Sequence, residues 1–448
     1  MQKLAYERPY LKKLTPGAMN KFGSQRTGQP FKYIDNVSVK SLIEAYGSPL
    51  FVLSEKQIRK NYRAAYRAFS TRYPKVQFAW SYKTNYLNAV CSVFHHEGSW
   101  AEVVSGFEYR KALGNNVPGN HIIFNGPGKS DSDLLLAIEN DSLIHIDHLE
   151  ELNRLIALAA QTNNKPRVAV RINMDTGIYP KWDRFGFNYE NNEAWNAINK
   201  IVSSGKLQLV GLHCHIGTFI QSTGAFGIAA SKMAELAMRC KTVLRQNIEY
   251  LDMGGGFPST NTLKGSYLPG TDTLPSLDDF AEEITTTLIN SGFAYDELPL
   301  LILESGRVLI DDAGYLLGTV IANKRLSEGK WATIVDFGVN ILFTSFWYEH
   351  QISPAQDFQG HTENVTVYGP LCMNIDVIRD SINLPVLDPG DNLVVHKVGA
   401  YNMTQWMQFI TLRPAVVLID EQQQAHLIKA AEHLGDVENS ENTPEYLK

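Results

Sequence analysis

Between about residue 77 and residue 304 the chain alternates eight times between a short apolar run and a longer stretch of helical periodicity, and few folds accommodate that rhythm. The runs are FAWSY (78–82), AEVVS (101–105), HIIFN (121–125), LIHID (143–147), RVAVRI (167–172), LVGLHCH (209–215), YLDMG (250–254) and LLILE (300–304). They are β-branched or aromatic and almost continuously hydrophobic, as strands buried on both faces must be. Between them, segments such as 107–113, 148–160 and 231–244 repeat apolar residues at helical spacing. Eight strand–helix units predict an α/β fold closed into a (β/α)8 barrel rather than an open sheet.

After Arg307 the rhythm changes. YLLGTVIA, WATIVDFG, NVTVYG, NLVVHKVG and AVVLID follow one another across turn-rich connections with little helix, which predicts a mainly β domain. PFKYID and PLFVLSE, ahead of the barrel, also have strand character and can join it. The expected organisation is a barrel over 51–304, a β domain from 25–50 and 305–425, and a polar tail over 426–448 with a terminal helix. A chain of 448 residues exceeds what one core usually supports, which agrees with two domains. The net charge of −6 supplies no basic face for nucleic acid or an anionic membrane, and basic clusters such as Lys12–Lys13 read as solvated surface. No apolar run reaches the ~18 residues of a membrane helix. Cys91, Cys214, Cys240 and Cys372 form no CxxC pair, so free thiols and a cytoplasmic location are expected.

In a (β/α)8 barrel the functional groups come from the C-terminal ends of the strands. Those ends carry Lys83, His215 with Thr218, Gly254–Gly256, and Glu304 with Gly306 and Arg307. Lys83 either reaches solvent or is an amine in the barrel mouth, made nucleophilic by burial and neighbouring cations that lower its pKa. Gly254, Gly255 and Gly256 form either a plain tight turn or a cradle whose amides approach an anion closely. Gly306 and Arg307 strengthen the second reading, because a guanidinium suits phosphate oxygens. His213 and His215 alternate on one strand face and invite a metal, but no further ligands accompany them at recognisable spacing, so no metal site is expected. A flat imidazole on an aromatic cofactor, with Thr218 reaching its phosphate, explains the segment better. Glu304 supplies the carboxylate that keeps a pyridine nitrogen protonated. One cofactor, pyridoxal 5'-phosphate, accounts for lysine, histidine, carboxylate and phosphate cradle together.

The chain resembles the fold-type III pyridoxal-phosphate decarboxylases, the group containing diaminopimelate, ornithine and carboxynorspermidine decarboxylases. The matches are SYKTN around Lys83, HIGT (215–218), GGGF (254–257), ESGR (304–307), GPLC (369–372) followed by Asp376, and GAY (399–401), in the family's order from about residue 25 to 425. The resemblance implies that Lys83 holds the cofactor covalently, His215 stacks on its ring and Glu304 partners its nitrogen. It implies phosphate contacts from Thr218, Gly254–Gly256, Gly306 and Arg307, with Arg307 also near the substrate. Tyr401 is implied beside cofactor and substrate, and Arg171 near the cofactor hydroxyl. Cys372 is implied to enter the active site from the other subunit and help return a proton after carbon dioxide leaves, so a homodimer with shared sites follows.

Two positions depart from the pattern. Met373 stands where diaminopimelate and ornithine decarboxylases place an acidic residue for the distal amine. Thr344 falls where diaminopimelate decarboxylases place an arginine for the distal carboxylate, while Tyr348 is retained. A thioether cannot neutralise an ammonium. The expected reaction is decarboxylation of an amino acid with a masked or altered distal group, as in siderophore or natural-product branches, rather than of free meso-diaminopimelate. The alternatives are diaminopimelate decarboxylation in lysine biosynthesis, an amino-acid racemase, and an inactive relative that only binds partners.

Overall fold

The structure is a computed structural model and describes residues 30–162, 164–266, 270–358 and 361–448. Residues 25–29 of the expected β domain and the Lys12–Lys13 cluster lie outside the described residues.

All eight apolar runs fold as strands: Val76–Ser81, Trp100–Val103, Ile122–Phe124, Leu143–Ile146, Arg167–Asn173, Gln208–Cys214, Tyr250–Asp252 and Leu300–Ser305. Each pairs in parallel with the next, and the last returns to the first with Leu301 opposite Val76 and Ser305 opposite Trp80, so the barrel closes. Ala79, Ile123, Leu143, Ala169, Val210, Tyr250 and Ile302 form a buried cluster contributed by strands alone, which is the barrel's interior filling. Helices cover the outside. Glu55–Ser70 buries Ile58, Tyr62, Ala65 and Phe69 at spacings of three and four residues, and Ser54 caps it by accepting from the Gln57 amide at 3.0 Å.

The second sheet is built around the long strand Gly314–Arg325, which pairs antiparallel with Leu50–Ser54, Asn392–His396 and Trp331–Val335. Leu50–Ser54 is buried along its whole length between Gly314–Arg325 and the parallel strand Ala415–Ile419. The domain boundary expected at residue 51 therefore falls inside a strand of the β domain, and the barrel half begins with the helix at Glu55. The polar tail also differs from expectation. Ala425–Lys429 pairs antiparallel with Ala415–Ile419, with Leu418 opposite His426, because Asp420 and Gln424 close a tight hairpin between them. A short helix, Leu434–Glu438, follows.

Cys91, Cys214 and Cys240 are buried, Cys372 is exposed, and all four are free. Among the described residues no helix is long and apolar enough to cross a membrane.

Candidate functional site

Strand side chains alternate between faces, so the residue two positions beyond each filling residue points inward one level higher. From Ala79, Ile123, Leu143, Ala169, Tyr250 and Ile302 that step leads to Ser81, Asn125, His145, Arg171, Asp252 and Glu304. A polar layer thus rests directly on an apolar one, and above it the strand ends open into a pocket. That pocket is lined by Ser81, Lys83, Trp182, His215, Thr218, Gly256, Glu304, Gly306, Arg307 and Tyr401, among others.

Lys83 sits in the single helical turn Tyr82–Thr84 that follows the first strand. Its Nζ donates to Glu102 Oε2 at 2.5 Å. Asn125 Nδ2 donates to Glu102 Oε1 at 3.1 Å and to Glu304 Oε1 at 2.5 Å, so one amide bridges the two carboxylates. Burial works against the ammonium, but Glu102 and then Glu304 outweigh it and hold Lys83 above the ordinary lysine range. The expectation of neighbouring cations and a lowered pKa is therefore corrected: barrel closure surrounds this amine with carboxylates. The lysine turn is fastened from the β domain. The Tyr401 amide donates to Thr84 O at 2.8 Å and Thr404 Oγ1 donates to Lys83 O at 2.9 Å.

His215 lines the same pocket. Burial, helped by Arg171 and Lys83, lowers its pKa to about 3, so the ring is neutral. Its Nδ1 accepts from the Gly255 amide at 3.1 Å, which puts the ring proton on Nε2. A Cβ on Gly255 would lie 2.2 Å from Glu304 O, and one on Gly256, where φ is +95°, 2.2 Å from Gly217 O. Only glycine lets this turn nest between the neighbouring strand ends, a packing demand added to that of an anion cradle. Gly306 likewise abuts Thr84. Arg307 is buried, donates to Tyr348 Oη and, at 3.3 Å, to Thr218 Oγ1, and lies among the rings of Phe219, Trp347, Tyr348 and Tyr401.

Not every expected site residue meets there within one chain. Arg171 pairs with Asp147 at 3.1 Å and stacks on Phe185, and does not line the pocket. Cys372 is exposed and Met373 lines a separate hollow in the β domain. Thr344 is buried and bonded to His350 at 2.8 Å and Asn402 at 2.9 Å, away from the pocket lining. The loop bearing Cys372 is organised by Asp376, whose carboxylate accepts from the Val339 amide at 2.8 Å and the Leu371 amide at 2.7 Å. Asp376→Ala leaves both amides without their acceptor and is expected to cost on the order of 3 kcal/mol. Thermal melting checks this, and an unchanged Tm would refute it.

Sequence reasoning missed Glu102, Asn125, Asp252 and Trp182. The first three lie inside the apolar runs, where a charged or amide residue was itself a signal. Trp182 comes from the long loop after Arg167–Asn173, and its ring stands 5.4 Å from that of His215.

Residues 56–311 match the model of the pyridoxal-dependent decarboxylase pyridoxal-binding domain. The chain is 30% identical to the diaminopimelate decarboxylase of Methanocaldococcus jannaschii over 433 residues, covering 93% of this chain and 96% of that one. It is 29% identical to the diaminopimelate decarboxylase of Bacillus subtilis over 417 residues, covering 90% and 93%. Among solved structures, the M. jannaschii diaminopimelate decarboxylase in complex with L-lysine superposes with a TM-score of 0.85 at 29% identity, covering 93% and 97%.

Proposed function

Because the chain belongs to the pyridoxal-dependent decarboxylase family, we propose that it removes the α-carboxylate of an amino acid while Lys83 holds pyridoxal phosphate in the barrel mouth. The observation that carries this reading is the convergence of Lys83, the buried Glu304 and neutral His215 on one pocket. The donor set fits the cofactor end to end. Glu304 is a buried carboxylate able to hold a proton on a ring nitrogen, and His215 offers a flat uncharged face. The Gly254 and Gly255 amides are taken by Asp252 and His215, which leaves the amides of Gly256 and Gly306, the Thr218 hydroxyl and the Arg307 guanidinium for phosphate oxygens.

Pyridoxal phosphate, when bound, supplies the electron sink that takes up the bonding pair as carbon dioxide departs. The rest falls to the chain. Lys83, salt-bridged to Glu102, accepts and returns a proton at Nζ. Arg307, wedged among four rings, is a fixed cation against which a substrate carboxylate is oriented. With the cofactor bound, Arg307 and the other fixed groups of the pocket would orient the substrate so that its carboxylate rather than its α-proton is lost. Cys372, exposed in one chain, reaches a second chain's pocket in a homodimer and returns a proton to the α-carbon. Lys83→Ala and Cys372→Ala variants, each inactive alone, are then expected to regain activity when mixed, and no recovery after subunit exchange counts against the shared site.

Diaminopimelate is the substrate we propose first. The expectation of a masked distal group is not backed by the comparisons, which favour diaminopimelate decarboxylation, the alternative to it. One observation keeps the other reading in view: Thr344 is committed to His350 and Asn402, so no guanidinium occupies that place. Carbon dioxide release from diaminopimelate, lysine, ornithine and acylated diamino acids decides between them. The highest kcat/KM is expected on diaminopimelate, and faster turnover of an acylated substrate would reverse the order. Solvent deuterium exchange without carbon dioxide would indicate a racemase instead.

A further inference from the structure

The layer beneath the pocket holds more ionisable groups than this reaction uses. His145, His213, Asp252 and Glu304 lie on four different strands, all buried, with one donor atom from each within 4.8 Å of the others. Only Glu304 has a role so far. Asp252 Oδ1 accepts from the Gly254 amide at 2.8 Å, which ties this side chain to the glycine turn, while Oδ2 is buried without a hydrogen-bond partner among the described residues. His213 Nε2 stands 3.3 Å from Glu304 Oε2, and neither ring nitrogen has a well-aligned partner among the described residues. His145 differs, because its Nε2 is engaged with Tyr250 Oη at 2.9 Å.

Two carboxyl groups this close in a buried site cannot both be ionised. Burial and the nearby Glu304 hold Asp252 well above the ordinary carboxylate range, so Asp252 is neutral beside Glu304. Burial drives His213 and His145 well below the ordinary histidine value, so neither cancels a charge on Glu304. Lys83 and Glu102 face Glu304 from above as a mutually paired cation and anion.

We propose that Asp252 and His213 are positioning residues that aim the Glu304 carboxylate at the ring nitrogen of the cofactor and keep its one negative charge there. The inference rests on the role given to Glu304 above. Asp252 then serves both ends of the cofactor: its free oxygen, as a hydroxyl, donates toward Glu304, and its other oxygen fixes the first amide of the glycine turn. A neutral Asp252 acts as one donor and one acceptor, which an asparagine reproduces and an alanine does not.

The test uses holoenzyme loaded with cofactor labelled with 15N in the ring, whose chemical shift reports whether that nitrogen carries a proton. Asp252→Asn is expected to keep the protonated signal and a kcat within about threefold, the small change of a retained donor and acceptor. Asp252→Ala and His213→Leu are expected to move the signal toward the unprotonated value and lower kcat about 10- to 100-fold, the effect of one lost charge-assisted hydrogen bond. A protonated signal in Asp252→Ala overturns the inference. So does an Asp252→Asn variant as impaired as the alanine, because Asp252 would then act as an anion. One equivalent of divalent metal in the purified holoenzyme overturns it as well, by making these four residues ligands. Glu304→Gln separates the premise from the inference: an unmoved signal there removes Glu304's own role, whereas a shift there without one in Asp252→Ala removes only the positioning role.

Discussion

Lys83→Ala is expected to lower decarboxylation by about a thousandfold to ten-thousandfold, the upper range for losing a single proton-transferring group. Among the described residues Lys83 is the only side-chain amine lining the pocket, and Arg307 cannot take its place because a guanidinium does not give up its proton near neutrality. The loss is local in origin. The turn Tyr82–Thr84 keeps its backbone ties to Tyr401 and Thr404, and Glu102 keeps the hydrogen bond from Asn125. Circular dichroism of the variant should therefore match the parent while turnover collapses. Glu102→Gln provides the contrast, since its carbonyl still accepts from Lys83 while the charge and the acceptor for Asn125 are lost. A milder loss, about tenfold, is expected there. Borohydride treatment of the parent should add the cofactor's mass to the peptide containing Lys83. A variant lacking Lys83 that retains a tenth of the activity, or label found on another lysine, would sink the assignment.

What was legible follows from the range of the interactions involved. The eight barrel strands announced themselves because both faces of each are buried, which writes continuous hydrophobicity into runs such as RVAVRI and LLILE. Strand ends then pointed to Lys83, His215, Gly256, Glu304, Gly306 and Arg307, all of which line one pocket. The polar layer was written in the same runs but overlooked. Glu102 in AEVVS and Asp252 in YLDMG are charged residues inside apolar strands, and the two-residue period places Asp252 and Glu304 on the inner face.

Other features had no local signature. That carboxylates rather than cations surround Lys83 depends on strands from residues 100 and 300 closing against residue 83. The fastening of that lysine by Tyr401 and Thr404 spans more than 300 residues. Substrate choice was the least legible. Met373 and Thr344 do depart from the pattern, but a missing charge at two positions does not exclude charges delivered by other loops.

The largest expected effect on stability lies away from the pocket, at Lys129 and Glu151. Both side chains are fully buried and meet at 2.7 Å. Lys129 Nζ also donates to Gly126 O at 2.6 Å and His145 O at 2.9 Å, so all three of its protons are placed, and Glu151 Oε2 accepts from the Asp147 amide at 3.0 Å. This pair pins the loop after Ile122–Phe124 to the end of Leu143–Ile146. Burial alone pulls the Lys129 pKa down, and Glu151 offsets part of that pull. Removing one partner strands the other charge where no water reaches it, so Lys129→Met is expected to destabilise the protein by about 3–5 kcal/mol. Pairing it with Glu151→Leu removes the stranded charge and should recover part of the loss. Recovery stays incomplete because the Gly126 and His145 carbonyls and the Asp147 amide have then lost their partners. Denaturant unfolding of the two single variants and the double variant measures the coupling. A single variant within 1 kcal/mol of the parent, or a double variant less stable than either single, would show that the pair does not hold these loops as its geometry requires.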